Sequence, residues 1–215
     1  MNRRNFTSAL VASGAAASLL GSGATRAEGM TPVESRDYTK IDPAQPTSSP
    51  GKVEVLEFFS YACPHCNAFE PTLEAWAHGL PGDVVLKRVP VPFLFNAENF
   101  AHTYYALEAI GLVDKMQMKI FSAVHVDRLR LDKPEDIAAV VAKGGGDAIK
   151  FLAAFKSFSV ATSVARSRKM TADYKIDGVP SLTIQGRFLT SPSLASSEPR
   201  SLAVADALIQ RSRNG

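Results

Sequence analysis

The stretch 53–66, with the sequence VEVLEFFSYACPHC, decides the fold of this chain of 215 residues. Its first seven residues are mostly apolar and are interrupted only by Glu54 and Glu57, which predicts a strand that is covered on both faces. The only two cysteines of the chain, Cys63 and Cys66, follow, and a helical pattern begins directly after them. A strand that ends in C-x-x-C and turns into a helix is typical of a dithiol redox site.

The start of the predicted helix favours a reactive thiolate at Cys63. Four backbone N–H groups lack partners there and the helix macrodipole is positive, so a charged sulfur is stabilised. Pro64 fits the first turn, where its missing N–H costs nothing. We expect the sulfur of Cys63 to be open to incoming thiols. We expect Cys66, one turn further on, to be shielded and to resolve a mixed disulfide.

His65 lies between the two cysteines, close enough to the Cys63 thiolate to stabilise it as a hydrogen-bond donor or as a cation. A more stable thiolate stabilises the reduced form, which makes the disulfide a stronger oxidant. We therefore expect His65 to tune the redox potential. The alternative is an exposed surface histidine without a role.

A metal site is the main alternative for the cysteine pair. Zinc needs four ligands, and beyond the cysteines the chain offers only four histidines, none at tight ligand spacing: His65, His78, His102 and His125. An inert structural disulfide is the other alternative, but a loop this short removes little entropy from the unfolded chain. We therefore expect no metal at the cysteine pair.

The first 27 residues have the pattern of an export signal, which is excluded from fold reasoning. A basic start with Arg3 and Arg4 is followed by a mildly apolar stretch and by a small-residue cleavage site that ends at Ala27. The paired arginines resemble a twin-arginine signal, and Sec export is the alternative. We expect export to an oxidising compartment, in which the cysteine pair rests as a disulfide.

Removal of this segment leaves a chain without net charge. The segment holds three of the 24 basic residues and no acidic residue, so 21 basic residues face 21 acidic ones. A neutral chain gives no electrostatic reason to bind nucleic acid or an anionic membrane. The remaining length suits one domain with a large core, or a smaller domain that carries an insertion.

The order of the predicted elements indicates a compact fold that is interrupted by helices. Strand, helix and strand come first, a block without strand signals follows, and two strands and a terminal helix close the chain. This order predicts an α/β fold with helices on a central mixed sheet, built by residues 28–92 and 168–215, and an all-helical insertion at 93–167. The helices of the block are predicted at 101–112, 115–125, 133–143, 147–158 and 159–174, and the late strands at 181–185 and 187–189.

Several motifs together carry a resemblance to a known family. The run 55–61 leads into Cys63-Pro64-His65-Cys66, Phe69-Glu70-Pro71 follows in the helix, and Gly178-Val179-Pro180 lies far downstream. With these motifs the chain resembles the DsbA family of bacterial periplasmic thiol:disulfide oxidoreductases. The resemblance implies a thioredoxin-like fold and a dithiol oxidase that donates its disulfide to newly exported proteins through a mixed disulfide. It also implies reoxidation by a quinone-linked membrane partner of the DsbB type and no bound cofactor.

Glu57 is the candidate proton carrier of the site. By strand alternation it shares a face with the apolar residues two positions away, so it should be buried, and burial raises the pKa of a carboxyl group. The resemblance implies that the acid at this position takes part in proton transfer from the buried cysteine. We expect Lys87 to be its counter-charge, with Arg88 as the alternative if the register differs by one. Glu54, near the start of the strand, is expected to reach water.

Val179 and Pro180 are the candidate substrate-binding residues. X-Pro bonds in folded proteins are cis in only about 5–6% of cases. The resemblance nevertheless implies a cis-proline loop opposite the cysteines, and Pro180 matches its position. Since proline has no N–H, neighbouring backbone groups stay free to pair with an extended substrate segment. We therefore expect a cis bond here and a contribution to substrate binding.

Two other functions stay open beside the oxidase. A reductase or isomerase uses the same cysteines at a less oxidising potential, but no dimerisation segment is visible and we expect a monomer. A peptide-binding chaperone depends on its groove more than on its thiols. The apolar run 93–95, Phe-Leu-Phe, belongs either to a substrate surface or to the packing of the insertion.

Overall fold

A five-stranded mixed sheet forms the centre of the fold in the computed structural model, which describes residues 31–214. Its strands follow each other in the order β1-β5-β4-β2-β3. The central strand β2 pairs parallel with β3 and antiparallel with β4, and the pairs β4–β5 and β1–β5 are antiparallel. The strands are β1 (Thr39–Lys40), β2 (Val53–Phe59), β3 (Val84–Pro90), β4 (Ser181–Ile184) and β5 (Phe188–Thr190).

Seven helices accompany this sheet within the same residues. They are α1 (Pro64–His78), α2 (Ala97–Ala109), α3 (Val113–His125), α4 (Pro134–Lys143), α5 (Ala148–Phe155), α6 (Phe158–Asp173) and α7 (Glu198–Arg213). None of these seven helices is by itself long and apolar enough to cross a membrane. Helices α5 and α6, which are bent by 59° relative to each other, reach that length and apolar composition only when taken together. The α/β class and the mixed sheet flanked by helices confirm the prediction. The export signal predicted at 1–27 lies outside the described residues.

Strand β2 is buried on both faces, as its apolar sequence predicts. Val55 packs with residues of α1 and α7 on one side, whereas Leu56 and Phe58 pack with Tyr174, just after α6, on the other. Every residue of the strand is buried. The cysteine turn that follows is therefore anchored to the most deeply covered strand of the sheet.

The helical block lies in the chain between β3 and β4, where the insertion is predicted. Its aromatic and aliphatic residues form one core cluster that also contains Phe59, Tyr61 and both cysteines. The core of the block thus reaches the end of β2 and the redox turn. Helix α6 runs without interruption across the predicted boundary at 167, and the division into two domains stays a prediction.

Candidate active site

Helix α1 begins at the cysteine turn. Cys63 is its N-cap residue with an extended backbone (φ −85°, ψ 117°), and Pro64 occupies the first turn. The backbone N–H of Cys66 donates to Sγ of Cys63 at 3.3 Å. This N–H is one of the backbone donors at the helix start that have no partner within the helix, and the sulfur of Cys63 is its acceptor.

The two thiols have opposite acidities. The pKa of Cys63 is lowered to about 6, chiefly because the thiol of Cys66 hydrogen-bonds to it, and further because the backbone N–H groups of Cys66 and His65 and the charge of His65 favour the thiolate. Cys66 is fully buried, and burial together with the hydrogen bond to Cys63 raises the pKa of its thiol far above the usual range. Both are free thiols in this structure, so it describes the dithiol form.

Cys63 is less open than its position at a helix start predicts. Its exposed fraction is only 5%, and its thiol donates to the main-chain oxygen of Val179 at 3.5 Å. The loop before β4 therefore covers the sulfur from above, a contact between residues far apart in the chain. The pKa values of the two thiols differ as expected for a reactive Cys63 and a shielded Cys66. The expected difference in exposure is small, because both sulfurs are largely covered.

The loop that covers Cys63 contains the predicted cis proline. The Val179–Pro180 peptide bond is cis, which confirms the prediction. Val179, Pro180 and the exposed His65 also line a groove of about 1100 Å³ that extends to β1 and to the loop between β5 and α7. The side chains of the run 93–95 are 41%, 37% and 60% exposed, which favours the surface interpretation over packing of the helical block.

Glu57 is completely buried, as predicted, but Lys87 is not its counter-charge. The Nε of Arg88 lies 3.0 Å from Oε2 of Glu57. In the parallel pair β2–β3, Arg88 is the register partner of Glu57, so the two side chains share a face of the sheet. The prediction of Lys87 was wrong by one residue of register, and the alternative, Arg88, is the one observed.

Lys87 instead pairs with Glu54, for which the expected access to water was also wrong. Glu54 is 2% exposed, and its Oε2 lies 3.0 Å from Nζ of Lys87. The same oxygen accepts hydrogen bonds from the hydroxyl groups of Ser48 and Ser49, both at 2.8 Å. The segment before β2 folds over the start of the strand, which the sequence pattern does not reveal.

Two further carboxylates join Arg88 on the other side. Glu70 Oε1 accepts from Nη2 of Arg88 at 2.7 Å, and Glu74 Oε1 accepts from the same nitrogen. Burial raises the pKa of Glu57, and the nearby charge of Glu70 raises it further, against the opposing effect of Arg88. Burial likewise raises the pKa of Glu70. The guanidinium group of Arg88 is thus the shared ion-pair partner of three carboxyl groups.

Sequence reasoning missed Glu70 and Glu74 as members of this cluster. Cys66, Glu70 and Glu74 recur at intervals of four residues, which places all three on one face of α1, and this spacing is a signal that identifies them. It also missed His125, whose Nε2 lies 2.8 Å from the main-chain oxygen of Tyr61, two residues before Cys63. No local pattern indicates that contact, because 64 residues separate the partners.

Within residues 31–214, no group of three or more His, Cys, Asp or Glu side chains is arranged to hold a metal ion. The reactive groups that the site does bring together are its two sulfurs and the acids near them. A thiol that ionises easily next to one that does not is the condition for thiol–disulfide exchange through a single attacking sulfur. Together with the fold, this pair defines a thiol:disulfide oxidoreductase.

Comparisons with known proteins agree with that class. The family described as DSBA-like thioredoxin domain matches residues 54–198. The thiol:disulfide interchange protein DsbA of Bordetella parapertussis is 41% identical over 214 residues, 99% of this chain and 100% of the relative. The crystal structure of Pseudomonas aeruginosa DsbA has a TM-score of 0.82 at 32% identity and covers 85% of this chain and 95% of its own. The DsbA1 oxidoreductase of Neisseria meningitidis has a TM-score of 0.76 at 28% identity, with 85% and 94% covered.

The chain belongs to the DsbA family, and its fold is thioredoxin-like. It is accordingly an enzyme, a protein dithiol oxidase. The resemblance that the sequence motifs carry is confirmed.

Proposed function

We propose that the protein oxidises pairs of cysteines in exported proteins by donating the disulfide between Cys63 and Cys66. A substrate thiolate attacks Sγ of Cys63, the bond between the two cysteines breaks, and Cys66 leaves with the electron pair. A second substrate thiolate then attacks the substrate sulfur of the mixed disulfide, and Cys63 leaves as a thiolate. The substrate loses two electrons and two protons, and the enzyme becomes the dithiol.

The observation that carries this proposal is the difference between the two thiols. Cys63, with its lowered pKa, is a good leaving group in the second step. A stable Cys63 thiolate also favours the reduced enzyme, which makes the disulfide oxidising. We assign this stabilisation to the hydrogen bonds at the start of α1, with His65 as a further contributor.

Cys66 needs a proton when it leaves, because its pKa is raised by burial. We propose that Glu57 supplies it. The carboxyl group is buried, and its charge acts on the Cys66 thiol. A carboxyl group with a raised pKa still carries its proton near neutral pH and can act as a general acid. In the reverse direction the same group accepts the proton.

The groove beside the cysteines is proposed to bind the substrate. Val179 presents its main-chain oxygen at Sγ of Cys63, and Pro180 has no N–H to compete for partners. An extended substrate segment can therefore pair with the backbone of this loop while its cysteine reaches Cys63. We propose reduced or unfolded exported proteins as the substrates, since an open groove can hold an extended segment of such a chain.

The family implies further properties that belong to the proposal. Reoxidation of the dithiol needs an electron acceptor, for which we propose a quinone-linked membrane oxidase of the DsbB type. We further propose that the protein works in the periplasm as a monomer, after removal of the signal at 1–27, by either export route.

Cysteine replacements test the proposal. The oxidised protein should convert a reduced dithiol peptide to its disulfide, and Cys63→Ser should abolish this reaction. The matched variant Cys66→Ser should also fail to oxidise the peptide, but in an excess of oxidised glutathione it should form a mixed disulfide at Cys63, since Cys63 still attacks and no second thiol of the variant displaces glutathione. Full activity of Cys63→Ser in suppressing aggregation of an unfolded client, with no oxidation by the unchanged protein, would favour the chaperone instead.

A further inference from the structure

The charge cluster of Arg88, Glu57, Glu70 and Glu74 contains one cation and three carboxyl groups. Arg88 is the guanidinium that Glu57, Glu70 and Glu74 share, at 3.0 Å and 2.7 Å for the first two. Fully ionised, the three carboxylates would leave two uncompensated negative charges around a group that is only 10% exposed. Buried uncompensated charge is expensive, so the cluster retains protons where they cost least.

The members differ in what else stabilises them. Neither oxygen of Glu57 accepts a hydrogen bond within residues 31–214, since the Nε of Arg88 is close but poorly aligned. Glu70 accepts from Arg88 with one oxygen, and its carboxyl group also interacts with the side chains of Gln117 and Glu74. Glu74 is different, because its side chain is 30% exposed and keeps contact with water. Its charge is the least costly of the three.

We propose that Glu74 is a positioning residue that keeps Glu57 protonated. By accepting a hydrogen bond from Nη2 of Arg88, the partly exposed Glu74 carboxylate shares the positive charge that would otherwise compensate Glu57. Glu57 is left with a partner that is close but not hydrogen-bonded to it. Glu74 therefore acts on the redox site through Arg88, without touching a sulfur atom.

The consequence for the reaction rests on the proposed function. When the substrate thiolate breaks the bond between the cysteines, the sulfur of Cys66 leaves as an anion in a dry site and takes the proton from Glu57. A Glu57 side chain that had already lost its proton would place a second negative charge beside that leaving group. Glu74 thus raises the fraction of enzyme that is ready for the step.

Other groups face the cluster and could titrate with it. The hydroxyl of Tyr61 donates to Oε1 of Gln117 at 2.5 Å, and burial keeps both Tyr61 and Tyr104 neutral by raising their pKa. The exposed Nε2 of His78 lies 3.8 Å from Glu74. Both phenols therefore stay neutral, so among the described groups bonded to Arg88 the carboxyl groups are the ones that exchange protons. The thiol of Cys63, whose pKa is lowered to about 6, exchanges a proton nearby as well.

The direct test follows the protonation of Glu57 by ¹³C NMR of the glutamate side chains in the reduced full-length protein. The resonance is assigned by its loss in Glu57→Gln. In Glu74→Gln we expect its titration midpoint to fall by about one pH unit, the effect of one nearby charge. Glu74→Asp, which retains the charge, should restore the original midpoint in whole or part. The control Glu135→Gln alters an exposed carboxylate that pairs with Lys156 on the surface, and it should change nothing.

The second test measures peptide oxidation against pH for the same variants. The rate ratio of Glu74→Gln to the unchanged protein should lie near one in acid, fall about threefold midway between the two midpoints, and level off at about one tenth above both. A merely structural role would lower the rate evenly at all pH values. That even loss, or an unchanged midpoint in the NMR titration, would overturn the proposal.

The two experiments separate this inference from the proposed function. A midpoint that shifts in a protein without oxidase activity keeps the role of Glu74 and refutes the oxidase. Normal oxidase activity with an unshifted midpoint keeps the oxidase and refutes the role of Glu74.

Discussion

Strand β2 carries two buried carboxylates, Glu54 and Glu57, whose surroundings are opposite. Glu54 is 2% exposed and Glu57 is fully buried, so both lose most of their hydration. Burial alone would raise the pKa of Glu54, but the hydrogen bonds from Lys87, Ser48 and Ser49 outweigh it and lower the pKa. Glu57 has no such donors within residues 31–214 and shares its cation, so burial prevails and its pKa rises.

The comparison shows that burial does not by itself make an acid functional. At the start of the strand, the chain surrounds its carboxylate with hydrogen-bond donors, and the result is an anchored group that keeps its charge to lower pH than a free carboxyl group. At the end that leads to the cysteines, Glu57 lacks comparable hydrogen-bond donors among the described residues, and the result is a carboxyl group that can gain and lose a proton. The same residue type on the same strand thus serves structure at one end and chemistry at the other.

Replacement of Arg88 or Lys87, the cations that pair with Glu57 and Glu54, should give the largest difference in the free energy of unfolding. Arg88→Met leaves three carboxyl groups around an apolar side chain, and we expect a loss of about 3 to 5 kcal/mol in the free energy of unfolding at pH 7. Lys87→Met removes a half-exposed ammonium group from a carboxylate that keeps its serine donors, and we expect a loss of less than about 1 kcal/mol. Urea denaturation of the reduced proteins measures both. Equal losses would break the distinction between the two ends of β2.

Neutralisation of the two acids should give a smaller contrast, with opposite signs. The folded-state pKa of Glu57 lies above its unfolded value, so the stability it contributes is complete below the unfolded pKa and is lost as pH rises through the folded one. Glu57→Gln has no carboxyl group to ionise and escapes this loss. We therefore expect its free energy of unfolding, relative to that of the unchanged protein, to rise by about 1 to 2 kcal/mol as the pH increases from 5 to 9.

Glu54→Gln should behave in the reverse way. The folded-state pKa of Glu54 lies below its unfolded value, so its contribution is present above the unfolded pKa and is lost as pH falls through the folded one. We expect this variant to be less stable by about 1 to 2 kcal/mol at pH 7, with the difference vanishing in acid. Denaturation curves at several pH values check both variants, and a destabilised Glu57→Gln at pH 8 would contradict the account.

The strands, the helices and the redox turn could be predicted from the sequence, because each depends on local patterns. The apolar run of β2 and the cysteine motif fixed the centre of the site, and the family motifs indicated Pro180. The charge pairs could not be predicted in the same way. Lys87 and Arg88 are adjacent on β3, and which of them meets Glu57 depends on the register between two strands, which an apolar pattern on both faces does not determine.

The covered sulfur of Cys63 and the buried Glu54 escaped prediction for a related reason. In each case the cover comes from a segment that is distant in the chain or irregular, the loop at Val179 in one and the serines before β2 in the other. Such contacts follow from the assembled fold and leave no periodic signal in the sequence. Glu70 and Glu74, by contrast, were detectable from their spacing behind Cys66.

The central claim is that the site is built to hold Cys63 as a thiolate and so to make the disulfide oxidising. Equilibration of the Cys63–Cys66 pair with reduced and oxidised glutathione measures this directly, with the fraction of dithiol followed by thiol alkylation. We predict a reduction potential above about −200 mV, more oxidising than the glutathione pool of the cytosol. A potential close to that of thioredoxin, about −270 mV, would contradict the account.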